Sequence, residues 1–302
     1  MRCDSKINSS FSHSEKFSSP NDSTIVFITM GDNLGWHVAV TYDYNKVFNL
    51  SAGMFEINAS WSPDKKWLVY NCIIPGAENN LQLWKMQFDG NRKKGIILPP
   101  FNCGAAKISP EGNKIAFSSE VEDLYQVLIC DTAGHNIQQV TNKNMIPSLG
   151  CVWCDLPTWS PDGENILFTY GPSDVDSKSS LRFSLASINL DTKDLVYYAA
   201  FDTMYPHHAK WSPVRDEIVF VGKGYPGEQI YRSRLDGTEL TKLTDAFIAG
   251  FPDWSSDGEY IVYDQKENSA DDNTSIWIID RFGTNKRKLM SIEGHDCTQP
   301  VW

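Results

Sequence analysis

Two adjacent histidines, and three cysteines at equivalent positions, are the side chains in this sequence best suited to bind a metal ion. His207 and His208 are neighbours, and His295 and Gln299 come near the end of the chain. Imidazole nitrogens and thiolates are the ligands that zinc and similar transition metals take in proteins. A divalent metal site would draw on this set: His207, His208, His295, Gln299, Cys103, Cys154 and Cys297.

The same residues have an ordinary structural interpretation, and the sequence favours it. Cysteine is among the residue types most often buried, and a histidine is more often packed or solvated than bound to a ligand. Cys151 and Cys154 lack the strand-to-helix context of a redox motif, and a disulfide between them stays open as an alternative. The count of 7 cysteines is odd, which argues against a fully paired framework. We expect unbonded thiols and no cofactor, with the metal site as the alternative.

Two acidic loops suggest calcium, since carboxylate oxygens are its ligands. Neither loop has the spacing of an EF-hand or its closing glutamate, so solvated carboxylates are expected instead. The residues concerned are Asp174, Asp176, Ser177, Asp271, Asp272 and Asn273.

The elements that position these residues are repeats of one pattern. Each repeat has a Trp or Ile, a Ser-Pro-Asp-Gly-like turn and then a β-branched or aromatic run. Ser, Pro and Gly suit the first, second and fourth positions of a type I turn, so the motif reverses the chain between two strands. The residues that precede the turns are Trp61, Ile108, Trp159, Trp211 and Trp254, and they are 43 to 52 residues apart. This spacing fits one four-stranded propeller blade per repeat.

The motif resembles the repeats of TolB-type β-propellers. Trp159-Ser160-Pro161-Asp162-Gly163, an aromatic-ended second strand and a third strand that runs into Asp-Gly carry the resemblance, which covers about residues 19 to 302. Three turns depart from the motif, at Lys65-Lys66, Val214-Arg215 and Ser256. The resemblance implies an all-β fold with four-stranded antiparallel blades and does not fix a function.

The two ends of the chain read as halves of one blade. Ser19-Pro20 precedes a second strand that lacks its own first strand, and residues 297–302 supply a strand that stops at Trp302. We predict six blades, with the C-terminal strand pairing with the N-terminal blade; Lys16-Phe17-Ser18 is the rival inner strand. The predicted segments are a Ser-rich flexible tail 1–18, the composite blade 19–50 with 297–302, and full blades 55–100, 103–142, 153–200, 205–245 and 249–291.

Loops on one face of such a propeller are long and varied. They are the second-to-third-strand and inter-blade loops, including residues 72–80, 141–157, 170–180, 221–228 and 264–275. Variable loops on a rigid repeat scaffold mark the surface that binds partners. We predict a non-enzymatic scaffold that binds a protein or peptide at this face and at the channel mouth. Cys103, Cys154 and Cys297 lie five positions before Ile108, Trp159 and Trp302, and this count places them at the same channel mouth. The predicted binding residues are Trp36, Trp153, Tyr225, Asp174 and Asp271.

Two other functions stay open. Oligogalacturonate lyases have a similar propeller, and the resemblance implies that His207, His208, His295 and Gln299 would hold the metal of a lyase or hydrolase that acts on an acidic polysaccharide. This chain has fewer histidines than those lyases. The third possibility is an accessory subunit of a larger assembly.

Composition and charge narrow the class of partner and the compartment. The 302 residues carry 27 basic and 38 acidic side chains, a net charge of −11, which argues against nucleic acid as a partner. No apolar run reaches the ~18 residues that a transmembrane helix needs. Cys3-Asp4-Ser5 resembles the start of a processed lipoprotein, so a lipid anchor at Cys3 is an alternative to a plain tail. The family resemblance implies a periplasmic or cell-surface location.

Overall fold

The computed structural model describes nine segments of the chain. They are residues 23–31, 35–42, 46–51, 55–73, 81–98, 101–150, 152–173, 183–270 and 273–302. Apart from two short 3-10 helices, Pro147–Leu149 and Ala199–Met204, the regular structure in these segments consists of β-strands. None of the helices described is long and apolar enough to cross a membrane.

The strands fall into one eight-stranded sheet and four four-stranded sheets. The eight-stranded sheet holds β1 (Ile25–Gly31), β2 (Gly35–Tyr42), β3 (Lys46–Asn49), β4 (Phe55–Trp61), β5 (Trp67–Ile73), β6 (Leu81–Gln87), β7 (Lys94–Ile97) and β24 (His295–Val301). The next two sheets hold β8 (Cys103–Ile108), β9 (Lys114–Val121), β10 (Leu124–Asp131) and β11 (Gln138–Gln139), and then β12 (Val152–Trp159), β13 (Asn165–Pro172), β14 (Ser184–Asn189) and β15 (Leu195–Tyr197). The last two hold β16 (His207–Trp211), β17 (Ile218–Gly222), β18 (Gln229–Ser233) and β19 (Thr241–Lys242), and then β20 (Ile248–Trp254), β21 (Tyr260–Lys266), β22 (Ser275–Asp280) and β23 (Arg287–Met290).

Each four-stranded sheet is antiparallel, with its strands in chain order. The predicted four-stranded antiparallel repeat is therefore confirmed for these sheets. In the eight-stranded sheet, β24 pairs with β1 in antiparallel fashion, and a single parallel bridge from Trp36 to Phe55 joins β2 to β4. Six strands, called here the first strands, pack against one another in the order β4, β8, β12, β16, β20 and β24, and β24 also contacts β4.

The turns after the first strands have the geometry that the motif predicts. In the third repeat the Gly163 N–H donates to the Ser160 carbonyl, 2.9 Å away, and Gly163 has a φ of 73°. Only a residue that tolerates the left-handed region can take this position without strain. Lys65 takes the same position in the first full repeat, with a φ of 52° and a 2.8 Å bond to the Ser62 carbonyl. The departure at Lys65 therefore leaves the turn intact.

The core lies between the sheets, since each sheet buries side chains on both faces. Strand β17 is buried along its whole length, as expected for a β-branched and aromatic run that is covered on both sides. Hydrophobic clusters of the core join neighbouring repeats. Phe117 on β9 and Val69 on β5, for example, belong to the same cluster. This packing gives the first strands a rigid support.

Candidate functional site

The six first strands surround one axial channel. At the end formed by the short Trp-Ser-Pro turns it widens into a cavity of about 390 Å³, called here the short-turn basin. Deeper in, a second cavity of about 40 Å³ forms a narrow waist. The basin is bordered by a pair of residues from each first strand or the position just after it: Ser60 and Trp61, Lys107 and Ile108, Thr158 and Trp159, Lys210 and Trp211, Asp253 and Trp254, and Val301 and Trp302.

A β-bulge in each first strand lines the waist. The pairing with the second strand shifts register at this point in all six cases. A bulge adds a residue and bends the strand, and the residue at this position has a φ between 40° and 56°. None of these residues is glycine, so the left-handed backbone is imposed by the surrounding sheets. They are Asn58, Ala105, Leu156, His208, Phe251 and Gln299.

At the opposite end from the basin, a chain of rings leads from the long-loop face to the waist. Trp153 meets Phe183 edge to face at 5.5 Å between ring centroids, and Phe183 meets His207 at 5.7 Å. His207 meets His208 at 5.0 Å, and His208 meets Phe251 at 4.3 Å. All five rings are half-buried. We call these five residues the mouth cluster.

Hydrogen bonds fix the two histidines of the mouth cluster. His207 Nε2 lies 3.1 Å from Glu228 Oε1, and His207 Nδ1 lies 2.7 Å from His208 Nδ1. A carboxylate only accepts, so His207 Nε2 carries a hydrogen. When both rings are neutral, His208 Nδ1–H donates to His207 Nδ1, and His208 Nε2 keeps its lone pair. Burial, and then the charge of neighbouring His207, holds the pKa of His208 well below its usual value.

The structure does not bring the predicted metal ligands together. His207 and His208 use nitrogens on each other, His295 Nδ1 lies 3.0 Å from the Glu293 carbonyl, and Gln299 Oε1 accepts from the Asn58 N–H at 2.8 Å. In the described segments no group of three or more His, Cys, Asp or Glu side chains has metal-binding geometry.

The three cysteines that we expected at the channel mouth lie elsewhere. Cys103, Cys154 and Cys297 are fully buried in three hydrophobic clusters between the sheets. Burial raises the pKa of each thiol to about 12, so all three are protonated at neutral pH. Cys154 Sγ lies 3.7 Å from Met145 Sδ, whereas Cys151, its partner in the alternative disulfide, lies outside the described residues.

The predicted binding residues have different surroundings. Trp153 belongs to the mouth cluster, and Tyr225 is 86% exposed on the loop between β17 and β18. Trp36 is half-buried against the core at the joint between β2 and β4, so its indole is mainly a packing group. Asp174 and Asp271 lie outside the described residues, as does Cys3.

The chain is similar to proteins of one known family. The model of the TolB beta propeller domain matches residues 92–302. The chain belongs to this family. Its fold is thus an all-β TolB propeller with antiparallel four-stranded blades. No curated protein matches the chain.

Solved structures of TolB proteins share the fold. TolB from Acinetobacter baumannii has a TM-score of 0.74 and 16% identity, over 94% of this chain and 67% of that one. A putative TolB from Agrobacterium tumefaciens has a TM-score of 0.67 and 18% identity, over 91% and 96%. An oligogalacturonate lyase in complex with manganese has a TM-score of 0.57 and 14% identity, over 89% and 73%. At these identities the likeness concerns the fold alone.

Several residues of the channel in this TolB propeller were not found from the sequence. Phe183 and Phe251 complete the mouth cluster, and Glu228 orients His207. Lys107 and Lys210 line the short-turn basin. The sequence did contain a signal for the lysines, because each lies two residues before the serine of a Ser-Pro turn. Alignment of the repeats at that position would have placed them on one ring.

Proposed function

We propose that this TolB propeller is a non-enzymatic scaffold that binds a protein or peptide at the long-loop end of its axial channel. The mouth cluster carries this proposal. It offers five partly exposed rings, four on strands of three neighbouring sheets and Phe183 immediately before β14, at the opening of a channel.

Such a cluster suits peptide recognition for physical reasons. Aromatic side chains bury a large area for few rotatable bonds, and they dominate the energetics of interfaces. Phe251 and His208 are set on bulges, which limits the conformational entropy that binding would cost. Glu228 is 54% exposed beside His207, so its carboxylate can accept from a backbone N–H or a basic side chain of a partner.

The blade count is a second part of the proposal. We infer that the eight-stranded sheet is two blades joined by the Trp36–Phe55 bridge, which gives six blades in all. The antiparallel pairing of β24 with β1, and the six bulges at equivalent positions, support this division. On this inference β24 is the first strand of the composite blade, and its pairing with β1 closes the ring.

A periplasmic or cell-surface location follows from the family and remains part of the proposal. In that setting a lipid on Cys3 would tether the propeller, and the partner would be another envelope protein or the core of a larger assembly. Of these proposals, binding at the mouth cluster is the one that variants of described residues can test.

The test is a selection of random peptides displayed on phage against the immobilised chain. Enriched peptides should bind the wild type in solution, and Phe183→Ala should weaken binding at least about tenfold. Phe282→Ala is the matched control, because Phe282 is an exposed phenylalanine on a short turn at the other face. Peptides that ignore Phe183→Ala and lose binding with Phe282→Ala would overturn the proposed site, and so would a selection without enrichment.

A further inference from the structure

The short-turn basin contains two lysines side by side. Lys107 on β8 and Lys210 on β16 hold the same position in their strands, and both line the basin. Lys107 Nζ also donates to the Ala59 carbonyl, 3.4 Å away. The channel thus gathers positive charge at one end of a chain whose net charge is −11.

Among the residues that the structure describes, no carboxylate oxygen lies within 4.0 Å of the Lys107 or Lys210 amine, so neither lysine forms a salt bridge. The nearest candidate is Asp253, which also lines the basin, and its Oδ2 accepts from the Trp302 N–H at 3.1 Å. Asp253 attracts Lys107 only at longer range. Two like charges in a partly enclosed channel repel each other unless an anion joins them.

Three indole N–H groups of the basin wall are turned into the protein. Those of Trp159 and Trp254 donate to the carbonyls of Lys107 and Lys210, at 3.0 and 3.1 Å. Trp61 lines the same basin, but its Nε1 is buried and does not reach a ligand there. Charged donors for a ligand therefore come from the lysines.

We propose that the short-turn basin is an anion site that takes the carboxylate of an organic molecule. Lys107 and Lys210 would hold the carboxylate oxygens. The rest of the wall combines indole rings and prolines with serine and threonine hydroxyls, Lys65 and Asp253, and its apolar part favours a ligand with an apolar body over a hydrated inorganic anion. The volume of about 390 Å³ lies in the range of small-molecule sites.

The electrostatics of Lys107 agree with this assignment. Burial, and then the neighbouring Lys210 ammonium, lowers the pKa of Lys107 well below its usual value. A bound carboxylate would favour the charged form of both lysines, because an opposite charge at close range stabilises an ammonium. Both lysines also line the waist with His208 and Phe251, whereas Trp153 and Phe183 do not border the basin. Loss of peptide binding in Phe183→Ala is therefore distinguishable from loss of carboxylate binding in the lysine variants.

The experiment is isothermal titration calorimetry with phenylacetate, phenylacetamide and inorganic phosphate. Phenylacetate should bind with a Kd on the order of 1 mM, which is ordinary for a ligand of this size. Phenylacetamide, its uncharged counterpart, should bind at least about tenfold more weakly, because it cannot form charge-assisted hydrogen bonds. Phosphate should bind more weakly than phenylacetate, because it gains nothing from the apolar walls.

Lysine variants connect the binding to the basin. Lys107→Met and Lys210→Met should each weaken phenylacetate binding at least about tenfold. Lys114→Met is the matched control, since Lys114 is exposed at the start of β9 outside the channel. If a methionine variant does not fold, Lys107→Gln and Lys210→Gln replace it.

Four results would overturn the site: no binding of phenylacetate, equal binding of phenylacetamide, phosphate as the only anion bound, or lysine variants that bind like the wild type.

Discussion

Asp264 on β21 is a buried carboxyl that ties β24 to the neighbouring sheet. Its Oδ2 accepts from the Thr298 hydroxyl and from the Gln299 N–H, 3.1 Å away, and the side chain is 5% exposed. Burial raises the pKa of Asp264 from 3.8 to about 6. The folded chain therefore holds a proton here that the unfolded chain has already released.

This raised pKa predicts a pH-dependent stability. Between pH 3.8 and 6 the folded state binds more protons than the unfolded state, so the contribution of Asp264 falls as the pH rises. Asp264→Asn keeps a hydrogen-bond acceptor, the amide oxygen, and removes the ionisable carboxyl group. The unfolding free energy of the wild type relative to this variant should fall by ~2 kcal/mol between pH 4 and pH 7. Urea denaturation across this range measures it, and a flat difference would contradict the shifted pKa.

The histidine pair leads to a second prediction at the residue scale. Protein purified without an affinity tag or chelator should contain no stoichiometric transition metal, because His207 and His208 bond to each other and to Glu228. Elemental mass spectrometry measures this. About one metal per chain, lost in the variant His207→Ala/His208→Ala, would contradict the scaffold and favour the metal-assisted lyase.

The sequence identified residue types better than it identified the faces on which they lie. We expected Cys103, Cys154 and Cys297 at the channel mouth by counting back along the first strands. The count assumed unbroken alternation, whereas the bulge at Ala105, Leu156 or Gln299 shifts the alternation by one residue. The cysteines therefore lie between the sheets, and Ala105, Leu156 and Gln299, two residues further along their strands, line the channel.

At the scale of the element, a Ser-Asp pair found in three of the short turns explains a weak point in the fourth repeat. Ser160 Oγ donates to Asp162, and Asp162 Oδ1 also accepts from the Glu164 N–H at 2.9 Å. In the fourth repeat Val214 stands in place of the aspartate, and the buried hydroxyl of Ser212 has no partner among the described residues.

Val214→Asp should therefore stabilise the chain by about 1 kcal/mol, because it supplies the missing acceptor. Asp162→Val is the matched control and should destabilise by a similar amount. The Ser160 hydroxyl lowers the pKa of Asp162 from 3.8, so this stabilisation is present above pH 3.8 and is lost as the pH falls further. Chemical denaturation at neutral pH measures both variants. A less stable Val214→Asp chain would show that the turn does not need the carboxylate.

The pairing of β24 with β1 gives a second prediction for an element. Removal of residues 297–302 should leave the edge of β1 without a partner, and it should lower the melting temperature or prevent folding. A synthetic peptide with the sequence of residues 295–302 should restore stability in trans, and a scrambled peptide should not. Thermal unfolding with and without peptide measures the effect, and a truncated chain as stable as the wild type would refute the proposed ring closure.

Strands and turns were predictable from the sequence, while the bulges were not. Gly, Pro and Asp mark the turns, and β-branched runs mark the strands, so local chemistry defines both. The six bulged positions hold six different residue types, from Ala105 to Phe251, because the packing between sheets imposes their backbone. The residue type at a single position therefore does not reveal a bulge.

At the scale of the whole molecule, the repeat predicted the TolB propeller, and the distribution of charge emerged only from the structure. The chain is acidic overall, whereas its short-turn basin contains Lys107 and Lys210. Most of the candidate site at the long-loop end likewise depends on contacts between repeats. Trp153 was predicted there, while Phe183 comes from another part of the chain and contacts it directly, and Phe251 connects to it through the histidines and Phe183.

The central claim, that the long-loop end of the channel binds a peptide, is tested most directly by hydrogen exchange with mass spectrometry. The chain would be measured alone and saturated with a peptide from the display selection. Protection should concentrate at the start of β12, at β16 and in residues 223–228, where the mouth cluster and its neighbours lie. Protection confined to the short turns or to the outer strands β7, β11, β15, β19 and β23 would contradict the account.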